Sequence, residues 1–192
     1  DHLSLNSDFD AQPHFNLYKN SAVQVDKQLG KIFTQLSEKG LFENTIIIIT
    51  SDHGQEFNDN GLNYWGHGSN FTPAQVHVPL AIHWPGKTKA NYSHRTTHSD
   101  LSVTLMEDLF QTTSDPKDYS LGHNLLETNR ESWSIAGSYV NYAVIEPDYQ
   151  VITYPTGHYE VLDNSARPLP SQKINGKTSL EVMQALSHFY KD

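Results

Sequence analysis

No cysteine occurs among the 192 residues. That excludes disulfides, thiolate metal sites and cysteine nucleophiles, and it leaves the redox compartment open. Long apolar runs are also missing: none approaches the roughly 18–20 residues that a membrane-spanning helix requires. Positive charge is scarce. Thirteen Lys and Arg stand against 22 Asp and Glu, a formal charge of −9. With no basic cluster to offset this, a nucleic-acid backbone is not an expected partner. The first residues, Asp1-His2-Leu3-Ser4, carry neither an initiator Met nor a signal peptide, so the chain reads as a partial domain cut from a longer polypeptide.

What is present reads as one α/β domain. Residues 1–15 form an irregular polar lead-in, and 16–110 an α/β core. From Asn16 to Lys39, Tyr18, Ala22, Val25, Leu29, Ile32, Phe33 and Leu36 recur at three- and four-residue steps. This predicts an amphipathic helix with one inward stripe, stopped by a left-handed Gly40. Thr45-Ile46-Ile47-Ile48-Ile49-Thr50 does not alternate, so both of its faces should be covered, as in a central strand of a mostly parallel sheet flanked by helices. Val78 to Trp84 reads as a second strand, with Pro79 tolerable only at its start or on an edge. A helix follows His98-Ser99-Asp100, with Ser99 or Asp100 as the expected cap. Residues 132–162 read as antiparallel strands, with turns at Glu146-Pro147-Asp148 and Pro155-Thr156-Gly157. A final helix, 179–190, should turn Leu180, Met183, Leu186 and Tyr190 inward.

The chemistry concentrates where the isoleucine strand ends, at Ser51-Asp52-His53-Gly54. In open α/β sheets, ligands gather at the carboxyl ends of strands. An adjacent carboxylate and imidazole offer oxygen and nitrogen to one divalent cation. A turn-capping Asp with a satisfied His neighbour remains the alternative. The polar loop from Gly54 to Ser69 is long for a structureless connection. It holds Gln55, Glu56, Asn58, Asp59 and Asn60, and it brings His67 within reach of the same pocket, as a further ligand or as a donor to an anionic oxygen. His77 and His83 alternate with apolar residues and read as packing; His98 reads as part of a helix start. His14, His94, His123, His158 and His188 have no partner at an informative spacing. Tyr139, Tyr142, Tyr149, Tyr154 and Tyr159 read as β-sheet packing, with contact to lipid as the alternative.

Thr45 through Glu56, Asn60-Gly61, His67-Gly68, Val78-Pro79-Leu80 and Trp84-Pro85-Gly86 resemble the sulfatase branch of the alkaline phosphatase superfamily. The helix bearing Tyr18, Asn20, Ser21, Val25 and Asp26, and the later Thr97-His98-Ser99-Asp100-Leu101, are similar too. The resemblance covers about residues 15–110. Within the superfamily, Phe15 to Ser21, Asp52 to Asn60 and Leu62 to His67 resemble a group of Gram-negative inner-membrane proteins with a periplasmic sulfatase-like domain. Lipoteichoic acid synthase and phosphoethanolamine transferases look like more distant relatives.

The resemblance implies an alkaline phosphatase-like fold, with Asp52 and His53 as ligands of a divalent cation (Mn2+, Mg2+ or Ca2+) and His67 assisting the transferred group. It also implies a nucleophilic Thr and a further metal carboxylate in an amino-terminal half that precedes these residues. Asp8, Asp10 and Thr34 sit in no matching motif, so a cation should bind weakly here. Three functions follow as expectations. One is a regulatory domain at the periplasmic face, sensing lipopolysaccharide or phospholipid and acting through a LapB-type adaptor contacted by membrane helices outside this chain. The others are a metal-dependent phosphatase, sulfatase or phosphoethanolamine transferase, and a cardiolipin- or lipid-binding transport module.

Overall fold

Helix α1 runs Gln12–Glu38, four residues earlier than the apolar stripe alone predicts. The Asp10 carboxylate accepts the Gln12 N–H at 3.0 Å, and Pro13 occupies the first turn, where its missing N–H costs nothing. Gly40 ends the helix with φ +64°. The Leu41 N–H reaches back to the Leu36 carbonyl at 2.8 Å, a glycine-dependent stop. The stripe is less covered than expected: no residue of α1 is buried. Leu29, Phe33 and Leu36 are half-buried, while Tyr18, Val25 and Ile32 stay exposed.

This computed structural model describes residues 5–189 and resolves into two compact units, Asp1–Lys89 and Ala90–Asp192. In the first, a 3₁₀ turn at Phe42–Asn44 leads into strand β1, Ile47–Thr50. The excursion that follows carries a two-residue hairpin, β2 (Glu56–Phe57) with β3 (Trp65–Gly66), and a one-turn helix, α2 (Pro73–Val76). Strand β4, Leu80–His83, then pairs with β1, and Pro79 falls just before it as expected. The pairing is antiparallel, Ile47 opposite His83 and Thr50 opposite Leu80.

That corrects the expectation of a mostly parallel sheet, because every strand pair among the described residues is antiparallel. A parallel neighbour needs a crossover of a dozen or more residues, usually helical. The segment after β1 instead forms a hairpin and one helical turn before coming back beside it. The isoleucines are accordingly half-buried rather than enclosed on both faces. His83 is a packing residue, as read: its ring lies 4.3 Å from that of Phe42.

In the second unit, α3 covers His98–Thr104 and continues as a π turn over Leu105–Leu109. Its cap is Thr97 rather than Ser99 or Asp100. Asp100 sits one turn in, its carboxylate accepting the Thr97 N–H at 2.7 Å. Four strands follow as an antiparallel meander: β5 (Ser134–Gly137), β6 (Tyr142–Ile145), β7 (Tyr149–Thr153) and β8 (Tyr159–Asp163), in that spatial order. Both turns predicted from sequence separate them. Ala143, Val151 and Ile152 on the sheet are buried, as are Val103 of α3 and Leu125.

Helix α4, Gly176–His188, starts from an Asn175 cap whose side chain accepts from Lys177 and Thr178 N–H. Its inward residues are Thr178 and Val182, whereas Leu180 and Met183 face out. Counting apolar residues alone misphases the helix, because a threonine occupies one inward place. Tyr190 lies outside the described residues.

Gly122 packs against the backbone at the start of α3. A Cβ there would overlap the Ser99 carbonyl and the Asp100 nitrogen. Gly122→Ala should cost about 1–3 kcal/mol, as overpacking does, read as an earlier urea midpoint.

Candidate metal centre

The carboxyl end of β1 delivers Asp52 and His53 into a tight turn. The Ser51 hydroxyl donates to the His53 carbonyl at 2.8 Å, and the His53 N–H donates to Asp52 Oδ1 at 3.0 Å. His53 Nδ1 lies 2.8 Å from the Gly54 carbonyl. A carbonyl only accepts, so this contact assigns the proton to Nδ1 and leaves the Nε2 lone pair available. Nε2 stands 3.5 Å from Asp52 Oδ2. Two donors on one tetrahedral cation at bonds of about 2.1 Å sit about 3.4 Å apart. The pair therefore fits two adjacent coordination positions.

His67 is brought to the same place. Its ring stacks on that of His53 with centroids 3.8 Å apart and planes 24° from parallel. Its Nδ1 lies 3.3 Å from Gln55 Oε1. A third His, Asp or Glu in coordinating position is not found among the described residues. The other residues weighed from sequence do not supply one. Thr34 is mid-helix and donates to the Gly30 carbonyl, and Asp10 accepts the Gln12 N–H just ahead of α1.

Asp52 is held ionised below its ordinary value of 3.8, first by the His53 N–H and then by the nearby imidazole. With a lowered folded-state value, whatever this carboxylate adds to the fold is present above pH 3.8 and is lost only as pH falls through the lowered value. Its side chain is 84% exposed, so the contribution is screened.

The loop behind the pair is organised by a residue that sequence reading placed only in a polar tract. Glu56 is 1% exposed. Its Oε2 accepts from Asn70 Nδ2 and Gln75 Nε2, each at 2.7 Å, and from the Thr72 hydroxyl at 3.3 Å. Gln75 Oε1 in turn accepts the Ser69 N–H at 3.1 Å. The Gly54 N–H donates to the Gln75 carbonyl at 2.8 Å. One buried carboxylate thus fastens residues 69–75 beneath the Asp52–His53 turn. Gly54 has no space for a Cβ, which would strike the Ala74 carbonyl. Gly54→Ala should push the turn off α2 and weaken Mn2+ binding at least as much as loss of one ligand.

The second unit has its own buried ionic cluster. Asp100, fully buried, accepts from Arg130 Nη2 at 2.8 Å, the His123 N–H at 2.9 Å and the Thr97 N–H. His123 Nε2 lies 2.8 Å from Glu131. Arg95, His123, Arg130, Glu131 and Trp133 line a shallow recess. Asp100 pairs with Arg130 Nη2 there, and Glu131 adds a second carboxylate to the lining.

Comparison with known proteins decides the family. The sulfatase family model matches residues 5–110. This chain belongs to the sulfatase family. Inner membrane protein YejM of Salmonella typhimurium is 28% identical over 174 residues, which cover 90% of this chain and 29% of that protein. The chain thus spans under a third of the length of this relative. Human iduronate 2-sulfatase is 39% identical over 71 residues, 37% of this chain and 12% of that enzyme. Among solved structures, phosphonate monoester hydrolase of Agrobacterium radiobacter shares the fold, with a TM-score of 0.63 at 19% identity, over 88% of this chain and 39% of that one. The chain is a YejM-like member of the sulfatase family. No helix among the described residues is long and apolar enough to cross a membrane.

Proposed function

We propose that this chain is the carboxy-terminal part of the sulfatase-like domain of a YejM-type inner-membrane protein, standing at the periplasmic face and regulating lipopolysaccharide and outer-membrane lipid homeostasis. One observation carries the reading. Similarity to YejM runs over 90% of the chain, whereas similarity to the human sulfatase covers 37%. Regulation would proceed through lipid sensing and a LapB-type adaptor rather than through turnover. The test is a hybrid in which this chain replaces the matching segment of Salmonella YejM. Lipopolysaccharide should return to the normal level in a strain lacking native YejM; an amount unchanged from the deletion strain would refute the proposal.

A second reading has a specific observation in its favour, the 3.5 Å approach of Asp52 Oδ2 to His53 Nε2. On this reading the pair contributes two ligands of a divalent cation, Mn2+, Mg2+ or Ca2+, and His67 stabilises a transferred phosphoryl or sulfuryl group. The cation would supply Lewis acidity, and further ligands and the nucleophile would come from elsewhere in the full-length domain. Hydrolysis of a generic phosphate ester by that domain with added Mn2+ should then fall at least 100-fold in Asp52→Ala. Equal rates in the two proteins would remove the enzymatic reading.

A further inference from the structure

The four-stranded meander has two unlike ends. One holds the turn between β6 and β7 and the last residue of β8, and it carries Glu146, Asp148 and Asp163. The Arg95 guanidinium donates to the Ile145 carbonyl at that end, at 2.7 Å. The other end holds the β5–β6 turn at 138–141 and the β7–β8 turn at 154–158. The register aligns them: Gly137 faces Tyr142, Tyr142 faces Thr153, and Thr153 faces Tyr159.

This second end carries few charges: residues 137–142 and 153–159 contain no Asp, Glu, Lys or Arg. Its tip is Tyr139, 99% exposed, and Val140, 63% exposed. The turn behind them is fastened by the Ser138 N–H donating to the Asn141 carbonyl at 2.8 Å. Tyr159 stands exposed at the start of β8, two strands beyond β6, and Tyr154 stacks on His158 in the β7–β8 turn. The Glu160 carboxylate, next to Tyr159 in β8, accepts from the Tyr154 hydroxyl at 3.2 Å and lies 3.8 Å from His158.

We propose that this tyrosine-bearing end docks on the lipid–water interface of a bilayer. The proposal deepens the membrane-tethered reading above and rests on it. Tyrosine has an apolar body and a polar tip, which suits the headgroup level of a membrane. Charge favours this occupant and fixes the orientation. A chain of net −9 is repelled by an anionic leaflet, yet this end of the sheet bears the single carboxylate of Glu160, held by the Tyr154 hydroxyl, whereas Glu146, Asp148 and Asp163 lie at the far end. Two side chains bind weakly alone. A tether raises the effective concentration at the surface and makes weak docking sufficient.

The test is partitioning of the full chain onto vesicles of phosphatidylcholine, and onto vesicles of equal parts phosphatidylcholine and phosphatidylglycerol, by flotation. Binding should be similar on both and insensitive to salt. Tyr139→Ser combined with Val140→Ser should lower the partition coefficient about tenfold, as expected for two apolar groups returned to water. Tyr139→Trp should retain binding and shift its fluorescence to the blue on vesicles. The substituted residues are exposed in a turn, so circular dichroism of the variants should match the parent. No binding, binding only to anionic vesicles with release by salt, or equal binding of parent and double variant would each overturn the proposal. So would a dimer that the double variant dissolves, since the tip would then be a protein contact. A vesicle result is separable from the hybrid experiment: lipopolysaccharide control restored without vesicle binding rejects only this docking surface.

Discussion

Glu56→Gln will loosen the 54–76 loop and abolish detectable Mn2+ binding at Asp52 and His53, although Glu56 is not proposed as a ligand. The reason is donor–acceptor arithmetic. Asn70 and Gln75 donate to Glu56 Oε2, the Thr72 hydroxyl shares its one proton between Oε2 at 3.3 Å and Asn70 Oδ1 at 2.9 Å, and Asn60 Nδ2 approaches Oε1 at 3.5 Å. A carboxylate can accept all of these, whereas an amide presents its own donors to one side of the cluster. The group is buried, so water cannot replace the lost acceptor. Each stranded donor costs about 1–3 kcal/mol, and the total should approach 3 kcal/mol or more. Glu56→Asp shortens the reach and should be intermediate. Mn2+ titration and urea denaturation, run on the same proteins, separate loop from ligand: Asp52→Ala should lose the metal with little change in stability, and Glu56→Gln should lose both. Normal metal affinity in a destabilised Glu56→Gln would show that the loop does not position the pair.

The second large effect is expected at the Asp100–Arg130 pair. The Arg130 side chain is 8% exposed and that of Asp100 0%. Removing one partner of a buried ion pair leaves the other uncompensated, at a cost of about 3–5 kcal/mol. Arg130→Met should therefore destabilise strongly. Asp100→Asn should be at least as severe, because Asp100 also holds the Thr97 and His123 N–H groups at the start of α3. In a double-mutant cycle the losses should be far from additive. Additive losses would mean that the pair contributes little and that helix capping is the main role of Asp100. Trp133 in the same unit gives a local fluorescence signal for the transition.

Several of these features were legible in the residues and several were not, and the division is physical. The position of β1 and the Asp52-His53-Gly54 turn behind it could be read directly, since an isoleucine run followed by a polar glycine turn has few other solutions. The meander could be read from its turns. Strand direction could not. An apolar run reports how much cover a strand wants, not which way its neighbour points, and β4 arrives antiparallel. Likewise α1 shows a helical stripe in sequence, while among the described residues only Leu29, Phe33 and Leu36 of that stripe are even half-buried. The Glu56 cluster was invisible for another reason. Residues 56, 60, 70, 72 and 75 share no period, and only the folded loop makes them neighbours. The motif puts His67 near the pair, but its stacking on His53 follows only from the folded loop.

That stacked arrangement gives the centre a built-in reporter. Two imidazoles with centroids 3.8 Å apart shield each other's carbon-bound protons through their aromatic ring currents. In a proton magnetic resonance spectrum, these signals should lie upfield of those of the other histidines. A diamagnetic ion that captures His53 alone would rotate or withdraw one ring, and both resonances would move downfield together.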